Sequence, residues 1–259
     1  MTIKTKAIVL RHNFLSEEDK MLILLSREQG LIEAKARGVK RLKGPLLNST
    51  EDFCYSDFCL FAGKSGYIVN SADKIDNFYL LRDDIEKLSL ASYFCELTYF
   101  LTPTADNAEV FLRLLCNSLY LLANKKRSPA FLKPVFELRA VSEGGFEPNL
   151  IACEVCGKYE AERMYFYPLD GCLRCGECAA GEGQGHNRFP LSPSLLAAMR
   201  HIVYAELDRL FQFTTSDAVL KQLDHISEYY SKLHLERSLK SLEFYHSLQS
   251  GFSERSMTE

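Results

Sequence analysis

The chain has 259 residues and carries 31 Lys+Arg against 34 Asp+Glu, a formal net charge of −3. With 47% hydrophobic and 25% charged residues its composition is ordinary for a globular protein, which excludes a disordered or collagen-like chain. No apolar run approaches the roughly eighteen residues of a membrane-spanning helix, and the amino terminus lacks the apolar stretch and cleavage site of a signal peptide. A cytoplasmic protein with no membrane partner is expected. Its slightly acidic balance argues against a broad nucleic-acid-coating surface but leaves local patches open.

Thr5–Phe14 and Lys20–Ser26 are short runs rich in Ile, Val and Leu on either side of the polar turn Ser16–Asp19. Gln29-Gly30 is a second turn signal, and Leu31–Val39 opens with partial alternation. Asp52–Phe61 alternates around Phe53, Tyr55, Phe58 and Leu60, and Gly63-Lys64-Ser65-Gly66 turns the chain into Tyr67–Asn70. Short strands with closely spaced turns predict a small barrel or sandwich. From about Asp83 the texture is helical and Leu-rich. Asp106–Ala123 is apolar nearly all round, as expected of a helix at the centre of a bundle. Ala130–Val141 is helical in pattern, with Pro134 expected near its first turn. Ser192-Pro193 reads as N-cap and N1 of a helix carrying Leu195, Leu196, Met199, Ile202 and Val203. A last long helix is expected from about Ser216 to Leu248, followed by a polar tail.

Of the nine cysteines, Cys54, Cys59, Cys95 and Cys116 lie among apolar residues and read as core. The other five fall in one Gly-rich stretch that contains Cys153-x2-Cys156 and, after eighteen residues, Cys175-x2-Cys178. A C-x2-C pair on a tight turn brings two thiolates to one ion, and two pairs close a tetrahedral Zn²⁺ shell with no open position. Cys153, Cys156, Cys175 and Cys178 are therefore the expected ligands of one structural Zn²⁺. Cys172-x2-Cys175 is a competing pair and His186 a further candidate; Gly171, as an upstream turn, favours 175 and 178. Lys158, Arg163 and Arg174 lie near enough in sequence to offset the charge of a four-thiolate centre. A catalytic zinc is disfavoured: the H-x-E of a zinc deaminase occurs only downstream, at His234-Leu235-Glu236, and no H-E-x-x-H is present.

Gly63-Lys64-Ser65 resembles the end of a phosphate-binding loop, but Phe58 stands where the motif needs its first glycine, so a hairpin turn is expected. Lys35, Arg37, Lys40, Arg41 and Lys43 place five cations in nine residues with no acid among them. Such a loop, leaving a strand of a small barrel, suits phosphate contact, and the aromatic residues Phe53, Tyr55, Phe58, Phe61 and Tyr67 follow it. Most of those aromatics are expected in the core.

Barrel, helical body and four-cysteine insert, in that order, resemble the RecO family of bacterial recombination mediators. The matching segments are Ala36-Arg37-Gly38 with its basic loop, Tyr93-Phe94-Cys95-Glu96-Leu97, and Phe136-Glu137-Leu138-Arg139 leading through Gly145-Phe146-Glu147-Pro148 to the first cysteine pair. Gly171-Cys172-x2-Cys175-x2-Cys178 and His234-Leu235-Glu236-Arg237-Ser238-Leu239-Lys240-Ser241 complete the resemblance, although Cys172 replaces a usual glycine. It implies a multidomain α+β chain: an OB-fold β-barrel DNA-binding domain over 1–80, then an α-helical domain over 81–249. A zinc finger is inserted over 150–187, and a tail follows from 250 to 259. It implies a non-enzymatic, nucleoid-associated protein that binds single- and double-stranded DNA and anneals complementary strands. With RecR, such a protein helps to load RecA onto DNA coated by SSB, whose acidic carboxy-terminal tail it engages. Lys35, Arg37, Lys40, Arg41 and Lys43 are the expected phosphate contacts. The rival expectation is a zinc-stabilised protein-interaction scaffold without direct DNA binding.

Overall fold

The computed structural model describes residues 1–39, 46–63, 66–102, 108–180 and 187–255, the last five by backbone alone. Alternation of inward and outward residues builds β1 (Thr2–Phe14), β2 (Lys20–Ser26), β3 (Gly30–Ala36), β4 (Tyr55–Gly63) and β5 (Gly66–Asp76). They close into a barrel in the order β1-β2-β3-β5-β4. Neighbours are antiparallel except β3 and β5, which run parallel. This is the expected OB-like architecture. Its interior holds Ala7, Val9, Leu22, Leu24, Ile32, Phe58, Leu60 and Val69. β2 is apolar on both faces because β1 and β2 also pack against α1 (Ile85–Leu101) and α2 (Ala108–Ala123).

The Asp84 carboxylate caps α1 by accepting from the N–H groups of Glu86 and Lys87, at 3.0 and 3.3 Å. α2 keeps Arg113 and Tyr120 exposed, so it is not the helix buried all round that its composition predicts. That place belongs to α3 (Pro129–Val141), buried from Phe131 through Val141. Ser128 caps α3 with Pro129 at its first position, and Pro134 lies inside the helix, beyond the first turn. Lys133, Glu137 and Arg139 disguise this helix in sequence, and each is buried with partners. The Lys133 ammonium lies 3.0 Å from Glu137 and 2.7 and 2.8 Å from Asp224 and Glu228 of α6 (Asp217–Leu235). Arg139 donates to the carbonyls of Ile202, Val203 and Ala205 at the end of α5 (Pro193–Tyr204).

The single helix expected from Ser216 to Leu248 is two helices. Glu236 adopts a left-handed conformation (φ 52°, ψ 26°) that ends α6, its N–H bonding to the Lys232 carbonyl. α7 (Lys240–Arg255) then begins against α1, where the Glu96 carboxylate accepts from both the N–H and the hydroxyl of Ser241.

The cysteine-rich segment folds as β6 (Asn149–Cys153), β7 (Met164–Tyr167), β8 (Cys172–Cys175), the one-turn α4 (Gly176–Ala179) and β9 (Phe189–Leu191). These strands form a sheet in the order β6-β8-β7-β9. By packing, the chain divides into two compact units. The first, Met1–Arg127 with Ser238–Glu259, contains the barrel, α1, α2 and α7. The second, Ser128–Arg237, contains α3, α5, α6 and the cysteine-rich sheet. No described helix is long and apolar enough to cross a membrane.

Candidate metal centre and nucleic-acid interface

Two strand ends aim the four thiols at one point. β6 ends at Cys153, and the chain folds back so that the Gly157 N–H reaches the Cys153 carbonyl at 2.8 Å. Gly157 sits at φ +73°, a conformation L side chains avoid. The turn leaves Cys153 and Cys156 on one side. β8, opened by Gly171 at φ +62°, ends at Cys175, and α4 carries Cys178 one turn further. The sulfurs of Cys153, Cys156, Cys175 and Cys178 all lie within 4.8 Å of one another. The Cys156 and Cys175 sulfurs are 3.7 Å apart. A tetrahedral centre with metal–sulfur bonds of about 2.3 Å needs sulfurs about 3.8 Å apart, so the group fits a four-coordinate soft ion.

The thiols of the group differ in how readily they ionise. Burial opposes ionisation of Cys153, but the N–H groups of Cys175, Cys156 and Val155 outweigh it and hold this thiol down at about 6. Cys178 is pushed up to about 12 by hydrogen bonding with Cys175 and Cys156, with burial adding to it. Ion binding therefore displaces protons, and affinity rises with pH. Cys172 stands outside the group. Its thiol donates to Glu154 Oε2 at 2.9 Å, and burial and that carboxylate push it up to about 12. His186 lies outside the described residues. Of the cations expected to offset the centre, Lys158 also pairs with Glu177 at 2.6 Å, and Arg174 pairs with Asp170 at 2.9 Å and Glu154 at 3.6 Å.

Of the basic run, Lys35 lies on the outward side of β3 and Arg37 is exposed just beyond it; Lys40, Arg41 and Lys43 fall outside the described residues. The sequence shows no acid within the run, but the fold brings one from the β1–β2 turn. Asp19 Oδ2 pairs with the Lys35 ammonium at 3.0 Å, and Oδ1 accepts from the Gly38 N–H at 3.1 Å. The Lys35 hydrogen bond and the Gly38 N–H hold the Asp19 carboxyl below the usual carboxylate range. Val39, fully buried, donates its N–H to the Glu18 carbonyl at 2.8 Å, so the root of the loop is pinned to the barrel.

Strand register lays one outward row across the barrel: Met21 beside Lys35, Lys35 beside Ile68, Ile68 beside Phe61, and Phe61 beside Thr2. Phe61 is 49% exposed, whereas Phe53 and Phe58 are core and Tyr67 is half-buried with its hydroxyl donating to Gln29. The row sets one cation and one exposed aromatic ring on the same sheet face. Sequence reading missed Asp19 and Ile68, since only the turn geometry and the parallel β3–β5 pairing bring them to Lys35.

Comparison with known proteins agrees at both ends of the chain. The family model for the recombination protein O N terminal matches residues 1–78, and that for the recombination protein O C terminal matches 82–243. A protein named DNA repair protein RecO from Acetivibrio thermocellus is 34% identical over 93% of this chain and 95% of its own length. Like-named proteins from Symbiobacterium thermophilum and Alkaliphilus metalliredigens are 32% and 30% identical, each over 94% of this chain and over 96% and 98% of their own lengths. Matched from the first barrel strand into the last helix, the chain belongs to the recombination protein O (RecO) family.

Proposed function

We propose that the chain is a non-enzymatic DNA repair and recombination mediator of the nucleoid, whose domain over 1–80 binds single- and double-stranded DNA. The observation that carries this reading is the basic run rooted at Lys35 on a barrel face that also exposes Phe61. Lys35, Arg37, Lys40, Arg41 and Lys43 contact phosphates, and Phe61 offers a ring on which a base can stack. In concert with RecR, the protein anneals complementary strands and helps to load RecA on SSB-coated DNA, engaging the SSB carboxy-terminal tail. The shared name of the relatives supports the repair role. Cys153, Cys156, Cys175 and Cys178 hold one Zn²⁺, which cross-links β6 to α4 and, with its shell closed, supplies no reactive position.

The test is a salt titration of fluorescently labelled single strands. Changing Arg37, Lys40 and Arg41 to Ala removes three phosphate contacts, which lowers the slope of log affinity against log salt by about 2. An unchanged slope overturns the assignment. Partner binding with no measurable DNA binding replaces it with a protein-interaction scaffold. An annealing assay on SSB-coated strands, with and without RecR, reads the mediator step.

A further inference from the structure

Between the cysteine-rich sheet and α5 lies a cavity of about 330 Å³, at the small end of ligand-binding pockets. Its floor is apolar: Met164 of β7, Leu191 of β9 and Leu196 of α5 are 4%, 8% and 5% exposed. Its rim is acidic. Glu160 and Glu162 stand exposed in the segment before β7, and among the described residues neither is held in an ion pair.

The one cation in the lining, Arg200, is already engaged. It donates to the carbonyls of Leu150, Ile151 and Tyr159 at 2.7, 2.9 and 2.7 Å, and its guanidinium lies 3.9 Å from the Tyr159 ring centroid. This arrangement ties the segment from Leu150 to Tyr159 onto α5. What remains available is an apolar hollow bordered by Glu160 and Glu162, neither of them ion-paired among the described residues. Phosphates are repelled from such a rim, whereas a lysine or arginine beside an inserted apolar side chain is attracted to it.

We infer that this cavity is a docking site for an apolar side chain presented by a lysine- or arginine-rich segment of a partner protein. The basic barrel face and the acidic hollow then sort two kinds of partner by charge, nucleic acid on one and basic protein on the other. The hollow is small enough for one or two side chains, so the anchor is a single leucine-like or phenylalanine-like residue with its cations flanking it.

The test uses fluorescein-labelled peptides and the full chain, read by anisotropy. The peptide KKLLKK binds saturably; KKAAKK, lacking the anchor, and EELLEE, with its charge reversed, each bind about tenfold more weakly or not at all. Changing Glu160 and Glu162 together to Lys lowers KKLLKK affinity by about tenfold while leaving metal content and single-strand affinity unchanged. Ala197→Trp, from an exposed position on α5 that lines the cavity, blocks the peptide; should that variant fail to fold, the surface charge reversal still decides. The proposal is overturned if EELLEE binds as well as KKLLKK or if neither variant moves KKLLKK affinity. It is likewise overturned if single-stranded DNA displaces the peptide, or if the face mediates self-association that the charge reversal abolishes. Because the DNA readout is separate, failure here leaves the barrel assignment standing, and failure there leaves this one.

Discussion

Asp19 limits the lysine that the register places on the barrel face. Its carboxylate holds the Lys35 ammonium with one oxygen and the Gly38 N–H with the other. Asp19→Asn keeps an oxygen for Gly38 and removes the charge facing Lys35, freeing that ammonium for phosphate. The expected result is tighter single-strand binding at low salt, with a log–log salt slope steeper by about 0.7, the value of one added phosphate contact. A titration of wild type and variant side by side measures it. Lys133 shows the opposite situation. Burial disfavours its charged form, but Glu137, Asp224 and Glu228 overrule that and raise its pKa. A raised lysine pKa stabilises the fold below the unfolded value for as long as the three carboxylates stay ionised, so this network does not weaken across neutral pH. Lys133→Met takes the ammonium away from the fully buried Glu137, which then keeps the Ser227 hydroxyl but no counter-charge from Lys133, and costs about 3–5 kcal/mol, measurable by urea unfolding. Neither effect was legible in sequence. Asp19 is 16 residues from Lys35, and the acids around Lys133 come in part from α6, some ninety residues on.

At the scale of elements, the sequence signals that succeeded are local. Alternation places the barrel strands, Ser192-Pro193 starts α5, and paired C-x2-C turns bring four sulfurs together. The failures have non-local causes. α3 looks amphipathic because its buried charges are satisfied by other helices. The stretch His234–Ser241 reads as continuous helix because no glycine or proline marks the stop, yet Glu236 turns left-handed there. The carboxylate of Glu96 accepts from the Ser241 N–H at the start of α7, a cap supplied from α1. This gives two of the segments that carry the family resemblance, the one around Cys95-Glu96 and the one ending at Ser241, a joint structural role. Glu96→Ala removes that carboxylate from the helix start. The expected loss is about 1 kcal/mol, with amide hydrogen exchange accelerating from Lys240 onward while α6 keeps its protection. Equal exchange in the variant and wild type would show that packing alone holds α7.

For the whole molecule, the net charge of −3 hides a division of labour by position. Through Asp76 the chain has 12 Lys+Arg against 10 Asp+Glu, so the acidic excess lies beyond the barrel. In the cysteine-rich sheet Lys158 and Arg174 are paired with acids, and Glu160 and Glu162 remain without ion pairs among the described residues. A four-thiolate zinc centre at the proposed site would add about two further negative charges there. On the proposed function, DNA contact would stay on the barrel, and a metal held by the four cysteines would act on the stability of the second compact unit. The two roles separate on chelation. Stripping the metal leaves four mutually close thiols with nothing to join them, and β6 and α4 lose their cross-link. Exchange protection should then fall over residues 149–180 while amides of β1 to β5 keep theirs, and single-strand affinity and its salt slope should not move. Restoring Zn²⁺ should restore protection in proportion to metal bound, up to one ion per chain. Loss of single-strand binding on chelation would show instead that the centre shapes the DNA-binding face.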